Sequence, residues 1–167
     1  MVTPPFPALC AWTLLLSPLV SAAGILLFGV SRRRLSALLA NGGLLLSFAC
    51  ALSLFVQTRN GSLTLPLELS VTWIGLPDFS IPFGVLIDRL SLLMSLVVTG
   101  VGSAIFLYSL GYMADDAGYS RYFGLLSLFA FSMLAIVLAT NWIELFIGWE
   151  LVGFCSYALI GHWYEKP

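Results

Sequence analysis

Five apolar stretches, each close to the length needed to cross a lipid bilayer, constrain this chain more than any other feature. They cover residues 8–30, 35–56, 90–112, 122–139 and 143–163. A spanning helix needs about 20 apolar residues, and in lipid every backbone polar group must be satisfied internally. The chain is 60% hydrophobic and 9% charged, whereas a soluble domain carries about 25% charged residues. The sequence therefore predicts a single all-α integral membrane domain over residues 1–167.

The first stretch has one alternative interpretation, a secretory signal peptide, because Ser21-Ala22-Ala23 resembles a cleavage site. However, no lysine or arginine precedes residue 8, and the apolar stretch is longer than the core of a typical signal peptide. We therefore expect this stretch to be a retained membrane span.

The distribution of basic residues predicts the orientation of the spans. With five spans, one side of the membrane receives Arg32, Arg33, Arg34, Arg121 and Lys166, and the other receives Arg59 and Arg89. Basic loops favour the cytoplasmic side. We therefore expect the N-terminus outside and the C-terminus on the cytoplasmic side, or its topological equivalent.

The long connection between the second and third stretches shows a period of two. Apolar residues occupy the odd positions from Leu63 to Trp73 and again from Phe79 to Val85. This alternation is typical of half-buried strands. The residues between them, Gly75-Leu76-Pro77-Asp78, favour a turn. The sequence therefore predicts a β-hairpin on the outer membrane surface.

Composition and motifs exclude several classes of function. The net charge of −1 gives no basic surface for nucleic acid. Cys10, Cys50 and Cys155 lie in apolar runs without metal-ligand spacing, which favours small buried hydrophobes. We find no phosphate-binding glycine loop, nucleophile triad, haem motif or iron–sulfur spacing in the sequence, so no motif indicates a cofactor or metal site.

Glu150 is the main candidate for chemistry, because it lies near the middle of the fifth stretch. It is about 12 Å along a helix from Trp142, and the hydrocarbon core is about 30 Å thick. Lipid favours the protonated carboxyl, whereas a nearby cation favours the ionised one. A carboxylate balanced between the two can take and release protons. The alternative is a neutral glutamate that bridges two helices by hydrogen bonds.

Two further residues are secondary candidates for proton transfer. Glu144 lies one turn inside the same helix, where its side chain can reach the water interface. His162 lies at the opposite interface with Trp163 and Tyr164, which favours an aromatic belt, although histidine titrates near neutral pH. For both residues we favour the structural interpretation over the catalytic one.

Other residues suggest structural roles. Asp88 and Arg89 open the third span, where an aspartate favours a helix N-terminus, so we expect capping and anchoring. Gly148 and Gly153 make the fifth helix thin, which allows neighbouring helices to approach closely.

Two segments carry a resemblance to a known family. The fifth span contains GWELVGFCSYALIGHWY (Gly148–Tyr164), and the third contains LYSLGYM (Leu107–Met113). From residue 83 onward the chain closely resembles the N-terminal part of subunit L of proton-pumping NADH:quinone oxidoreductase, or complex I. The mitochondrial counterpart of that subunit is NADH dehydrogenase subunit 5. The first two spans resemble the family more loosely.

The resemblance implies a role in proton translocation in a bacterial inner (plasma) membrane or an equivalent energy-coupling membrane. Family members are antiporter-like subunits of the membrane arm, and the glutamate of their GWE motif, here Glu150, pairs with a lysine on a seventh helix. NADH, FMN, the iron–sulfur clusters and quinone belong to other subunits, so no cofactor is expected on this chain. The expected partners are the lipid bilayer, other membrane-arm subunits and a chain that carries the remaining helices.

The length of the chain departs from the family pattern. Family members are several times longer, and Lys166 is not placed to replace the lysine of the seventh helix. We therefore expect a split, truncated or partial subunit that does not translocate protons by itself. Two alternatives stay open: a subunit of a related cation/proton antiporter, membrane-bound hydrogenase or inorganic-carbon uptake complex, and a non-catalytic assembly fragment.

Overall fold

The computed structural model describes residues 5–29, 32–76 and 79–163. Within them the chain forms five α-helices and two β-strands. These are α1 (Pro5–Gly24), α2 (Arg33–Arg59), β1 (Leu67–Leu76), β2 (Phe79–Ile87), α3 (Arg89–Tyr112), α4 (Tyr119–Val137) and α5 (Trp142–Ile160). A π-helical turn, Ile25–Gly29, follows α1, and a 3₁₀ turn, Gly161–Trp163, follows α5.

All five predicted spans coincide with helices that are long and apolar enough to cross a membrane. The prediction of a multi-pass, mainly helical chain is therefore confirmed. The boundaries differ by only a few residues: α4 begins at Tyr119 rather than residue 122, and the first helical segment ends in a π-helical turn. Val30, the predicted end of the first span, lies outside the described residues.

Helix α4 is the centre of the bundle, since it packs against each of the other four helices. Two buried apolar clusters lie along it. One, near the hairpin, includes Leu14, Leu54 and Leu134, and the other, at the opposite end, includes Leu44 and Phe123. We call these two ends of the bundle the hairpin end and the arginine end. Helix α5 is at the edge and packs mainly on α4.

The predicted β-hairpin between α2 and α3 is confirmed. Strands β1 and β2 pair antiparallel, with Leu67 opposite Ile87 and Val71 opposite Phe83. A bulge at Trp73 shifts the register, so that Ile74 is opposite Ile81. Apolar residues at odd positions of the two strands are therefore paired with each other only at the base of the hairpin, before the bulge. Gly75 and Leu76, predicted as turn residues, are paired strand residues instead. The other two predicted turn residues, Pro77 and Asp78, lie outside the described residues.

The base of the hairpin is part of the bundle core. Leu67, Val85 and Ile87 are at most 5% exposed and belong to the same apolar cluster as Leu14 and Leu134. Burial of large apolar side chains contributes about 1.5–3 kcal/mol each. The hairpin is therefore held down by hydrophobic packing and does not rest loosely on the helix ends.

Candidate functional site

Glu150 lies near the middle of α5 and is exposed on the surface of the bundle. It shares the uncovered side of the helix with large apolar side chains that are more than half exposed. These are Phe146, Trp149, Phe154, Tyr157 and Ile160. Within the described residues, Glu150 makes no hydrogen bond or ion pair. Its carboxylate is therefore accessible from outside this five-helix bundle.

Glu144 occupies a different environment from the one expected. We predicted that its side chain reaches the water interface, but it is 5% exposed. One carboxylate oxygen accepts a hydrogen bond from the Gly84 amide, and the other accepts from the amide and the hydroxyl of Thr140 at 2.7 and 2.6 Å. The prediction that this side chain reaches water is wrong, because three donors supplied by the fold replace water around the carboxylate.

Among the described residues, the bond from Gly84 to Glu144 joins β2 to the first turn of α5, and two further hydrogen bonds join β2 to the connection between α4 and α5. The Asn141 side chain donates to the Pro82 carbonyl at 2.9 Å, and the Leu86 amide donates to the Leu138 carbonyl at 2.9 Å. Asn141 also caps α5 by accepting from two amides of its first turn. The hairpin is thereby fixed to the start of the helix that carries Glu150.

Gly84 is required by this close approach. A Cβ at this position would lie 2.5 Å from the Leu69 carbonyl oxygen and 2.8 Å from Cγ2 of Thr140. Neither neighbour can move freely, because the first is backbone and the second is held by the hydrogen bond of Thr140 to Glu144. Only glycine lets the amide of residue 84 reach the carboxylate.

The two glycines that we predicted to thin α5 have different surroundings. Gly148 is buried, and a Cβ there would lie 3.0 Å from Cγ1 and 3.1 Å from the amide nitrogen of Ile136 on α4. This is the expected close approach of helices. Gly153 is exposed, and a Cβ added there would meet no atom of the described residues within 4 Å. Its packing role stays a prediction for a helix outside this bundle.

His162 is buried at the end of α5, whereas we expected an interfacial belt residue. It is 7% exposed, and its Nε2 lies 3.1 Å from Oδ1 of Asp116 in the connection between α3 and α4. Its Nδ1 has no hydrogen-bond partner among the described residues. Trp163 donates its indole N–H to the other oxygen of Asp116 at 2.6 Å, and Tyr164 lies outside the described residues. The belt interpretation is therefore wrong for His162, which packs inward.

Asp116 organises the arginine end of the bundle. The pKa of this carboxyl is lowered to about 2, mainly by the hydrogen bond from the indole N–H of Trp163. The contacts with His162 and the Gly118 amide lower the pKa further, whereas desolvation raises it. Arg33 on α2 donates to the carbonyls of Ala114 and Asp116 at 2.7 and 2.9 Å. The loop between α3 and α4 thus holds the start of α2 and the end of α5 together.

At the hairpin end, Asp88 caps α3. Its side chain accepts from the Ser91 amide at 2.7 Å, while the Ser91 hydroxyl accepts from the Asp88 amide at 2.8 Å. The hydrogen bond from the Ser91 amide lowers the pKa of Asp88. Arg89 is the first residue of the helix and is exposed. Asp88 is therefore the N-cap of α3, the role suggested for it from the sequence.

Two organising residues, Gly84 and Asp116, were not candidates in the sequence. A glycine inside a strand pattern often marks a close backbone approach, and that signal could have identified Gly84. No local signal identifies the organising role of Asp116, because its partners His162 and Trp163 lie 46 and 47 residues away. Within the described residues, no three His, Cys, Asp or Glu side chains are placed to hold a metal ion.

Comparison with known proteins identifies relatives of this chain. Residues 73–123 match the family model described as NADH-Ubiquinone oxidoreductase (complex I), chain 5 N-terminus. NADH-quinone oxidoreductase subunit L of Mycobacterium tuberculosis is 44% identical over 165 residues, which cover 93% of this chain and 25% of the relative. The chain is therefore similar, over most of its own length, to a part of NADH-quinone oxidoreductase subunit L. The resemblance found in the sequence is therefore confirmed.

Plant relatives give the same result. The chloroplastic NAD(P)H-quinone oxidoreductase subunit 5 of Ipomoea purpurea is 41% identical over 157 residues, covering 92% of this chain and 22% of the relative. The corresponding subunit 5 of Anthoceros angustus is 41% identical over 170 residues, covering 95% of this chain and 22% of the relative. The chain thus spans about a quarter or less of the length of these relatives.

Proposed function

We propose that this chain contributes the glutamate of a proton-transfer site to the membrane arm of an NADH:quinone oxidoreductase. The position of Glu150 carries the proposal. Its carboxylate lies halfway along a membrane-spanning helix, on an open face and without a partner among the described residues. A charge at that depth costs at least about 2.5–3.5 kcal/mol, so a function that needs a titratable group explains its presence better than packing does.

The proposed mechanism is electrostatic. A cation that approaches the open face of α5 favours the ionised form of Glu150, and its withdrawal favours proton uptake. The family resemblance implies that this cation is a lysine from a later helix. Redox-driven changes elsewhere in the complex would move the charge, so Glu150 would exchange protons without any redox chemistry on this chain.

The names of the relatives support a respiratory or related oxidoreductase over the alternative transporters. All the relatives cited above are named as NADH- or NAD(P)H-quinone oxidoreductase subunits. These names favour an energy-coupling membrane, and we propose the orientation that the basic residues predict, with the N-terminus outside and the C-terminus inside. We assign NADH, FMN, the iron–sulfur clusters and quinone to other subunits, which would be its partners together with a polypeptide that carries the remaining helices.

The substitution Glu150→Gln tests this function in the assembled complex. Gln keeps the size of the side chain but cannot exchange a proton, so we expect fewer protons pumped per NADH oxidised, measured in sealed membrane vesicles. Glu68→Gln is the matched control, because Glu68 is an exposed carboxylate on the hairpin. An unchanged ratio of protons to NADH in the Glu150 variant, with normal assembly, would refute the proposal.

A further inference from the structure

A cavity of about 440 Å³ lies at the hairpin end, between the hairpin and helices α1, α4 and α5. Its volume falls in the range of small-molecule sites, about 300–1,000 Å³. Its walls are mainly apolar and include Leu15, Trp73, Phe83, Phe131, Glu144 and Leu151. The proposed proton-transfer role does not use this cavity.

Glu144 is the one charged residue among those that line the cavity. Its three hydrogen-bond donors, the Gly84 amide and the amide and hydroxyl of Thr140, are all neutral. No cation pairs with it among the described residues. Neutral donors satisfy a carboxylate only in part, because an ionised carboxylate accepts about four hydrogen bonds. The Glu144 carboxylate in this apolar wall can therefore accept one more hydrogen bond. A positively charged donor would also offset its negative charge.

The polarity of the cavity changes along α5. Glu144 is in the first turn of the helix, two residues after the largely exposed Trp142. Leu151 lies seven residues further on, about 10 Å closer to the middle of the membrane span. The charged wall is therefore nearer to the end of the membrane span than the apolar wall at Leu151, which is the order of headgroup and acyl chains in a phospholipid.

The chemistry of the walls selects the headgroup. An ammonium group donates three hydrogen bonds and carries the charge that Glu144 lacks, and the faces of Trp73 and Phe83 also favour a cation. A quaternary choline headgroup has the charge but no donor. An anionic headgroup is disfavoured, because no arginine or lysine lines the cavity within the described residues.

We propose that the cavity binds a phospholipid with a primary ammonium headgroup, such as phosphatidylethanolamine. The ammonium donates to Glu144, and one acyl chain lies along α5 toward Leu151. The bound lipid fills the space between the hairpin and the helix that carries Glu150.

Photo-crosslinking tests the proposal. The complex that contains this chain is reconstituted with phosphatidylethanolamine or phosphatidylcholine carrying the same diazirine-labelled acyl chain, and adducts are located by mass spectrometry. We expect adducts on the α5 segment between Glu144 and Leu151, with the ethanolamine lipid favoured about tenfold, the order of a charge-assisted hydrogen bond. Glu144→Gln should remove that preference, whereas the control Glu68→Gln should keep it.

A second variant covers the case in which Glu144→Gln disturbs the hairpin. Ile147 lines the cavity beside Glu144, and Ile147→Trp should fill the cavity and reduce adducts from both lipids while the carboxylate stays in place. Equal labelling of the wild type by both lipids would overturn the headgroup assignment. Absence of adducts on this segment in the wild type would overturn the site itself, because it would mean that protein covers the cavity. Neither result bears on proton pumping through Glu150.

Discussion

The backbone amide of Gly84 on β2 donates a hydrogen bond to the buried carboxylate of Glu144 on α5, 60 residues further along the chain. The same carboxylate accepts from Thr140 in the connection before α5. One side chain thus joins the hairpin, the helix connection and the first turn of α5. Six residues after Glu144 the helix carries Glu150, so the hairpin fixes the end of the helix that presents the proposed proton-transfer group.

The close approach at Gly84 predicts a large effect of a single added methyl group. Gly84→Ala places a Cβ against the Leu69 carbonyl and Thr140, so β2 must move away from Glu144. We expect a loss of about 1–3 kcal/mol in the free energy of unfolding, measured by denaturant titration in micelles, with faster amide exchange over residues 80–87. Gly75→Ala is the control on the same hairpin, since its Cβ would meet its nearest neighbour at 3.5 Å, an ordinary contact. Equal stability of the two variants would contradict the geometry.

The packing of α5 on α4 predicts a second contrast between glycines. Gly148→Ala brings a Cβ to 3.0 Å from the Ile136 side chain and 3.1 Å from its backbone. The helices must separate, and we expect a loss of about 1–3 kcal/mol in the free energy of unfolding. Gly153→Ala adds the same methyl group where no described atom lies within 4 Å. In the isolated chain it should be neutral or slightly stabilising, since alanine favours helices, and a comparable loss at both sites would be evidence against the α4–α5 interface.

The environment of Asp116 predicts a pH dependence of stability. Its pKa is about 2 in the folded chain and 3.8 in its ordinary state. Because folding lowers this pKa, the stabilisation is fully present above about pH 4 and is lost as the pH falls toward about 2. Asp116→Asn removes the titrating group. The difference in thermal midpoint between the wild type and this variant should therefore shrink as the pH falls through that window.

The neighbouring carboxylate provides the control for this pH experiment. Asp115 is exposed in the same loop, and Asp115→Asn removes the same charge without touching Trp163 or His162. Because the contacts of Asp116 stay in place, this variant should still lose stability as the pH falls from about 4 toward about 2. A wild-type advantage over Asp116→Asn that persists unchanged to pH 2 would show that the indole and imidazole contacts do not stabilise the ionised carboxyl.

Much of the fold followed from local patterns in the sequence. The length of the apolar stretches located five helices to within a few residues, and the alternation from Leu63 located the hairpin. These predictions succeed because an apolar segment in lipid must be helical to satisfy its backbone polar groups. A half-buried strand likewise has one apolar and one polar face, so its residues alternate in the sequence. The bulge at Trp73 was not predictable, since it depends on how β1 and β2 pair.

The sequence by itself determined that Glu150 lies at the middle of a membrane span, because depth follows from counting residues along an apolar helix. It did not determine the environments of Glu144 and His162, which we placed at interfaces and which the structure buries. Their partners, Gly84 and Asp116, lie 60 and 46 residues away in the chain. Hydropathy reports the depth of a residue in the membrane, but a hydrogen bond between distant segments exists only once the helices and the hairpin have packed together.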